Sequence, residues 1–101
     1  MADEILKAEE VMDKEKLIEI LTEELPLLRA KIGITQEELS DMVGINRPTY
    51  SAIETKKRRM SWNVYLSLLM VFTQNEKTAP MIDRIGAFPE NLKNSLNISK
   101  R

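Results

Sequence analysis

A chain of 101 residues is about one domain's worth, which excludes an enzyme with separate cofactor and substrate lobes. Charged residues make up 31% and hydrophobic ones 43%, while three glycines and four prolines leave room for long helices rather than many short strands. The absence of cysteine and histidine removes disulfides, thiol nucleophiles, zinc fingers and imidazole acid–base chemistry, and no apolar run nears the roughly 20 residues of a membrane span. No catalytic centre, metal site or cofactor is therefore expected. The acidic start at Asp3 and Glu4 is unlike a signal peptide, which points to a cytoplasmic protein without a membrane partner.

The segment before Asp13 is polar with few apolar anchors (Ile5, Leu6, Val11, Met12) and reads as a frayed helix or an arm. From Asp13 onward, Leu17, Leu21, Leu25, Leu28 and Ile32 recur at helical spacing, so one face of a helix runs to Gly33. Pro26 crosses that stripe, and the cost of an internal proline predicts two helices or a kink near Thr22 to Leu25.

Three helix starts follow. Thr35 and Glu38 form a T-x-x-E capping box with Ile34 as the staple onto Leu39, which opens a helix at Gln36 that carries Leu39, Met42 and Val43 inward and stops at Gly44. Asn46 caps the next helix, with Pro48 in its first turn and Ile45 stapled to Tyr50. Gly44, Ile45 and Asn46 alone separate the two, the connection length of a helix-turn-helix. Ser61 caps a fourth helix, apolar on nearly every side from Trp62 to Phe72, in which Trp62, Tyr65, Leu69 and Phe72 are candidates for the core and for a dimer surface. Met60, Met70 and Met81 read as ordinary packing. Pro80 opens a short helix holding Met81, Ile82 and Ile85 and closed by Gly86, and Pro89 starts a last one with Leu92, Leu96 and Ile98 on its buried side.

The stretch from Leu25 to Phe72 resembles the helix-turn-helix of the Cro and phage-repressor (XRE-type) family. The resemblance rests on L-x-x-L-R before a glycine turn, "TQEEL" opening the second helix, the "VGI" turn, and Ile53-Glu54 late in the third. It implies an all-α fold: a compact four- to five-helix bundle of the lambda-repressor-like type, here with an extra N-terminal helix and a short helical C-terminal extension. It also implies a DNA-binding transcriptional regulator, often a homodimer, that lays the helix over residues 47–55 in the major groove. The expected organisation is an acidic arm or helix over 1–21, the DNA-binding domain over 22–74 and the extension over 75–101, packed on the core or on a dimer partner. One departure concerns the place two residues after Glu54, where the family usually has glycine and this chain has Lys56.

The near-zero net charge of −1 averages unlike parts: residues 1–28 hold nine acids against three bases, whereas residues 29–59 hold seven bases against four acids. A bipolar chain can grip a polyanion on its basic side while the acidic side keeps it soluble. With Tyr50 and Ile53 turned to the core, Arg47, Pro48, Ser51 and Ala52 face outward and are the candidate base contacts. Arg47 can engage the O6 and N7 of guanine, hold a phosphate, or pair within the chain with Glu54 or Asp41. Gln36 and Thr49 near helix N-termini, and the run Lys56, Lys57, Arg58 and Arg59, are candidate phosphate contacts. Glu54 reads as structural, paired with an arginine such as Arg29, and the consecutive glutamates (Glu9-Glu10, Glu23-Glu24, Glu37-Glu38) diverge on a helix and form no acid–base dyad. An alternative reading is an antitoxin-like protein-interaction module whose acidic N-terminal region grips a protein partner, with DNA binding secondary.

Overall fold

Asp13 begins the first described helix, its carboxylate accepting from the Lys16 N–H at 3.1 Å. The computed structural model describes residues 13–97, so the anchors at Ile5, Leu6, Val11 and Met12, the Glu9-Glu10 pair, and Ile98 lie outside the described residues. Six helices and no strand occur among the described residues: α1 (Lys14–Ile32), α2 (Gln36–Val43), α3 (Arg47–Glu54), α4 (Trp62–Gln74), α5 (Ala79–Ile85) and α6 (Glu90–Leu96). The described residues thus form an all-helical fold in which α1 lies against α3, α4 and α5, while α2 bridges α3 and α4.

Of the two outcomes expected near Pro26, separate helices do not occur, since α1 is one helix of 19 residues with the proline inside it. Pro26 is exposed, whereas Leu21, Leu25 and Leu28 are entirely buried. Each such leucine is worth roughly 1.5–3 kcal/mol of burial, which together outweigh the ~3 kcal/mol an internal proline costs. One turn earlier the Thr22 hydroxyl donates to the Ile18 carbonyl at 2.7 Å.

The caps fall where the local sequence puts them. Thr35 Oγ1 accepts from the Glu38 N–H at 3.0 Å and Glu38 Oε1 accepts from the Thr35 N–H at 2.9 Å, the complete capping box. Ser61 Oγ accepts from the Val64 N–H at 3.2 Å. Pro89 flanks the start of α6, and Gly86 closes α5.

Three apolar residues expected inside are outside. Met42 is 60% exposed because the buried stripe of α2 is Leu39, Ser40 and the half-buried Val43, which places Met42 more than a quarter-turn away. Met70 is 66% exposed because Tyr65, Leu68, Leu69 and Phe72 form the inward face of α4 and Met70 stands opposite it. Leu96 is 51% exposed, one turn beyond Leu92, the residue that anchors α6 in the core.

Among the four aromatic and aliphatic candidates on α4, Tyr65, Leu69 and Phe72 belong to the chain's own core. Trp62 is half-buried, stacked on Tyr65 with ring centroids 4.8 Å apart, and carries Lys14 Nζ 5.0 Å from its own centroid, which ties the start of α1 to α4. The Tyr65 hydroxyl donates to the buried Ala87 carbonyl and so holds the α5–α6 connection against α4, and burial pushes that phenol well above its ordinary range. Thr78 is fully buried because its hydroxyl donates to the Phe72 carbonyl at 2.7 Å, closing the end of α4.

Candidate nucleic-acid interface

The α2–α3 connection is set by two residues. Gly44 takes φ of +80°, the left-handed conformation, and the Ile45 N–H folds back onto the Ser40 carbonyl at 3.0 Å. Asn46 Oδ1 then accepts from the Thr49 N–H at 2.8 Å and α3 begins at Arg47.

What holds α3 in place is its inward side. Tyr50 and Ile53 are buried, and Glu54 receives four side-chain hydrogen bonds. Arg29 donates through Nε to Oε1 at 3.0 Å and through Nη2 to Oε2 at 2.7 Å, the Tyr50 hydroxyl donates to Oε1 at 2.6 Å, and Gln36 Nε2 donates to Oε2 at 3.3 Å. The third reach of Arg29 is from Nη1 to the Ile34 carbonyl at 3.1 Å, so one guanidinium joins α1, the α1–α2 turn and α3. The pairing of Glu54 with Arg29 is the one the sequence suggested.

Burial by itself would raise the carboxyl pKa of Glu54, but the hydrogen bonds from Arg29 and Tyr50, the Arg29 charge and the Gln36 bond together hold it below the usual carboxylate value. The Arg29 guanidinium is raised, chiefly by its hydrogen bond to Glu54. The Tyr50 phenol is pushed far above its ordinary value by burial first and by the Glu54 carboxylate second. Glu54 and Arg29 are therefore held as an ion pair that ties α3 to α1.

The opposite side of α3 is open. Arg47 and Pro48 are exposed, Ser51 and Ala52 are half-buried, and Arg47 makes no ion pair among the described residues with either Glu54 or Asp41. At the N-terminal end of α3, Arg47, Gln36, Arg29 and the acidic Glu37 share a depression of about 390 Å³ beside the start of α2. The Thr49 N–H is taken by the Asn46 cap. Gln36 spends one amide hydrogen on Glu54 and keeps the other.

At its C-terminal end α3 leaves through Lys56, the one non-glycine residue with positive φ (68°) among the described residues. The Lys57 N–H returns to the Ala52 carbonyl at 2.8 Å and the Lys56 N–H to the Ile53 carbonyl at 3.0 Å, the bonding pattern that usually closes a helix around a glycine. Lys56 stands where that glycine would, and its cationic side chain suits the negative end of the helix dipole. Lys56, Lys57, Arg58 and Arg59 are all exposed, but they do not present four free charges. Lys56 Nζ pairs with Glu23 Oε2, and Arg59 Nη2 pairs with Glu15 Oε2 at 2.8 Å, while Lys57 and Arg58 make no ion pair among the described residues. The candidates thus fall into two groups, one at each end of a helix about 12 Å long. The part played by Glu15 and Glu23 was not anticipated from the sequence, although their i, i+8 spacing on one helix was visible.

Comparison with known proteins gives one family match: residues 27–61 fit the family model described as "Helix-turn-helix", spanning the last turns of α1, all of α2 and α3, the basic run and Ser61. No curated protein and no solved structure matches the chain significantly.

Proposed function

We propose, from the match of residues 27–61 to the model of the Cro/C1-type (XRE) helix-turn-helix family, whose members bind DNA, that this protein is a sequence-specific regulator of transcription, acting as a repressor by placing α3 in the major groove. The observation that supports this most directly is the division of α3 into an inward side tied down by Tyr50, Ile53 and Glu54 and an outward side where Arg47 and Pro48 are exposed and Ser51 and Ala52 half-buried. Arg47, at the first helical position, reaches guanine O6 and N7 with its forked donors; Ser51 hydrogen-bonds a base edge; Ala52 and Pro48 allow close approach and apolar contact with a thymine methyl. Gln36 and Thr49 on one flank, and Lys56, Lys57, Arg58 and Arg59 on the other, hold the phosphates and fix the register of the helix. A twofold homodimer sets two such helices about 34 Å apart on a pseudo-palindromic site. No helix among the described residues is long and apolar enough to cross a membrane.

Selection of DNA from a random pool, followed by anisotropy titration at several salt concentrations, tests the proposal. Arg47→Ala should relax the preference at one position at a cost of about 1–3 kcal/mol, whereas Lys57→Ala should weaken all sequences alike and reduce the log–log salt slope by about 1. Absent or salt-insensitive binding would overturn the assignment. Equal loss of preference in both variants would overturn the division between readers and phosphate contacts.

A further inference from the structure

Glu15, Glu19 and Glu23 stand at i, i+4 and i+8 on α1, a row of carboxylates repeating about every 6 Å along the helix. The row faces the basic run across an open groove of about 500 Å³, with Ile18 between the charged walls. Two rungs are closed: Glu23 to Lys56, and Glu15 to Arg59 at 2.8 Å. The four side chains are 54–71% exposed, so both pairs sit in water, where ion pairs are weak and exchange readily. A regular row of negative charge is also what a phosphate backbone offers, and the ammonium of Lys56 and the guanidinium of Arg59 cannot satisfy both rows at once.

We propose that the acidic face of α1 is an intramolecular competitor for the nucleic-acid backbone, with Glu15 and Glu23 setting the affinity by holding Arg59 and Lys56 until a polyanion displaces them. This rests on the reading of α3 as the groove helix and adds an element outside the matched segment, since Glu15 and Glu23 precede residue 27. The competitor acts most strongly at low ionic strength, where surface pairs are least screened. It lowers the binding of any polyanion, with or without a preferred sequence, because it acts on phosphate-holding cations and not on Arg47.

The test uses the full chain and its Glu15→Gln, Glu23→Gln and double variants, with Glu76→Gln as a charge-matched control on the α4–α5 connection. Two readouts are taken: anisotropy on selected DNA and elution from immobilised heparin, a polyanion without a major groove. Each single variant should bind DNA up to about fivefold tighter at low salt, with the gain shrinking as salt rises, and should elute from heparin later than the control. In a Lys56→Gln background Glu23→Gln should change neither readout, because its partner is gone. Persistence of the gain in that background would assign it to general repulsion and overturn the proposal. So would unchanged DNA and heparin binding in the double variant, which would leave the regulator assignment standing. Later elution from heparin together with no DNA binding by any variant would support the competitor and overturn the regulator assignment.

Discussion

Replacing Glu54 by glutamine tests whether the four-donor cluster holds α3 in place. The carboxylate is 8% exposed and its partner Arg29 20% exposed, so the pair is largely shielded. Glutamine keeps the shape but removes the charge and presents an amide NH2 where Arg29, Tyr50 and Gln36 all donate to the parent carboxylate. Hydrogen bonds to a charged group are worth about 1.5–3 kcal/mol each, and one face of Arg29 can rehydrate, so the net loss at pH 7 should be about 2–3 kcal/mol. For a domain of this size that is a fall in Tm of roughly 10–20 °C. The acid limb supplies the sign. The folded-state pKa of Glu54 is depressed below the unfolded value near 4.3, so the stability it supplies is complete above about pH 5 and is lost as pH falls through the depressed value. Urea denaturation of the parent and Glu54→Gln chains from pH 7 to pH 2 should therefore show a gap that narrows towards the acid end. A gap under about 0.5 kcal/mol at pH 7, or one that stays constant on acidification, would refute the reasoning.

At the exit of α3, Lys56→Gly should leave a more stable protein than Lys56→Ala by about 0.5–1 kcal/mol, because both lose the Glu23 pair but only glycine occupies φ of 68° without strain. Thermal denaturation of the two variants decides it, and the reverse order would contradict the left-handed assignment. Thr35→Ala breaks the capping box and should cost about 1 kcal/mol, measurable in urea, with the α2 amides losing protection in hydrogen exchange. Ala52→Glu adds a negative charge to the open side of α3 and should abolish DNA binding while leaving Tm within a few degrees of the parent; retained binding would move the groove face elsewhere.

What was legible in the sequence was local. Thr35, Asn46 and Ser61 cap the helices they precede because a side chain and an amide three residues on need no help from the rest of the fold. Periodicity located the core leucines of α1, but the penalty attached to Pro26 was weighed without the burial that offsets it, and so two helices were admitted where one continues. Met42, Met70 and Leu96 show the converse limit: hydropathy places a residue on a helix, while the neighbours decide which side is covered. Arg29–Glu54 was legible because a carboxylate next to an inward-facing isoleucine needs a cation. Glu15–Arg59 and Glu23–Lys56 were not, since they depend on how the loop after α3 returns beside α1, which no short-range rule specifies.

The clamp on Glu54 has an evolutionary corollary. Because Arg29, Tyr50 and Gln36 fasten α3 from behind, substitutions at the exposed positions 47 and 48 should cost little structural integrity. On the proposed reading, target choice can drift, or be re-engineered, on a frame that stays the same.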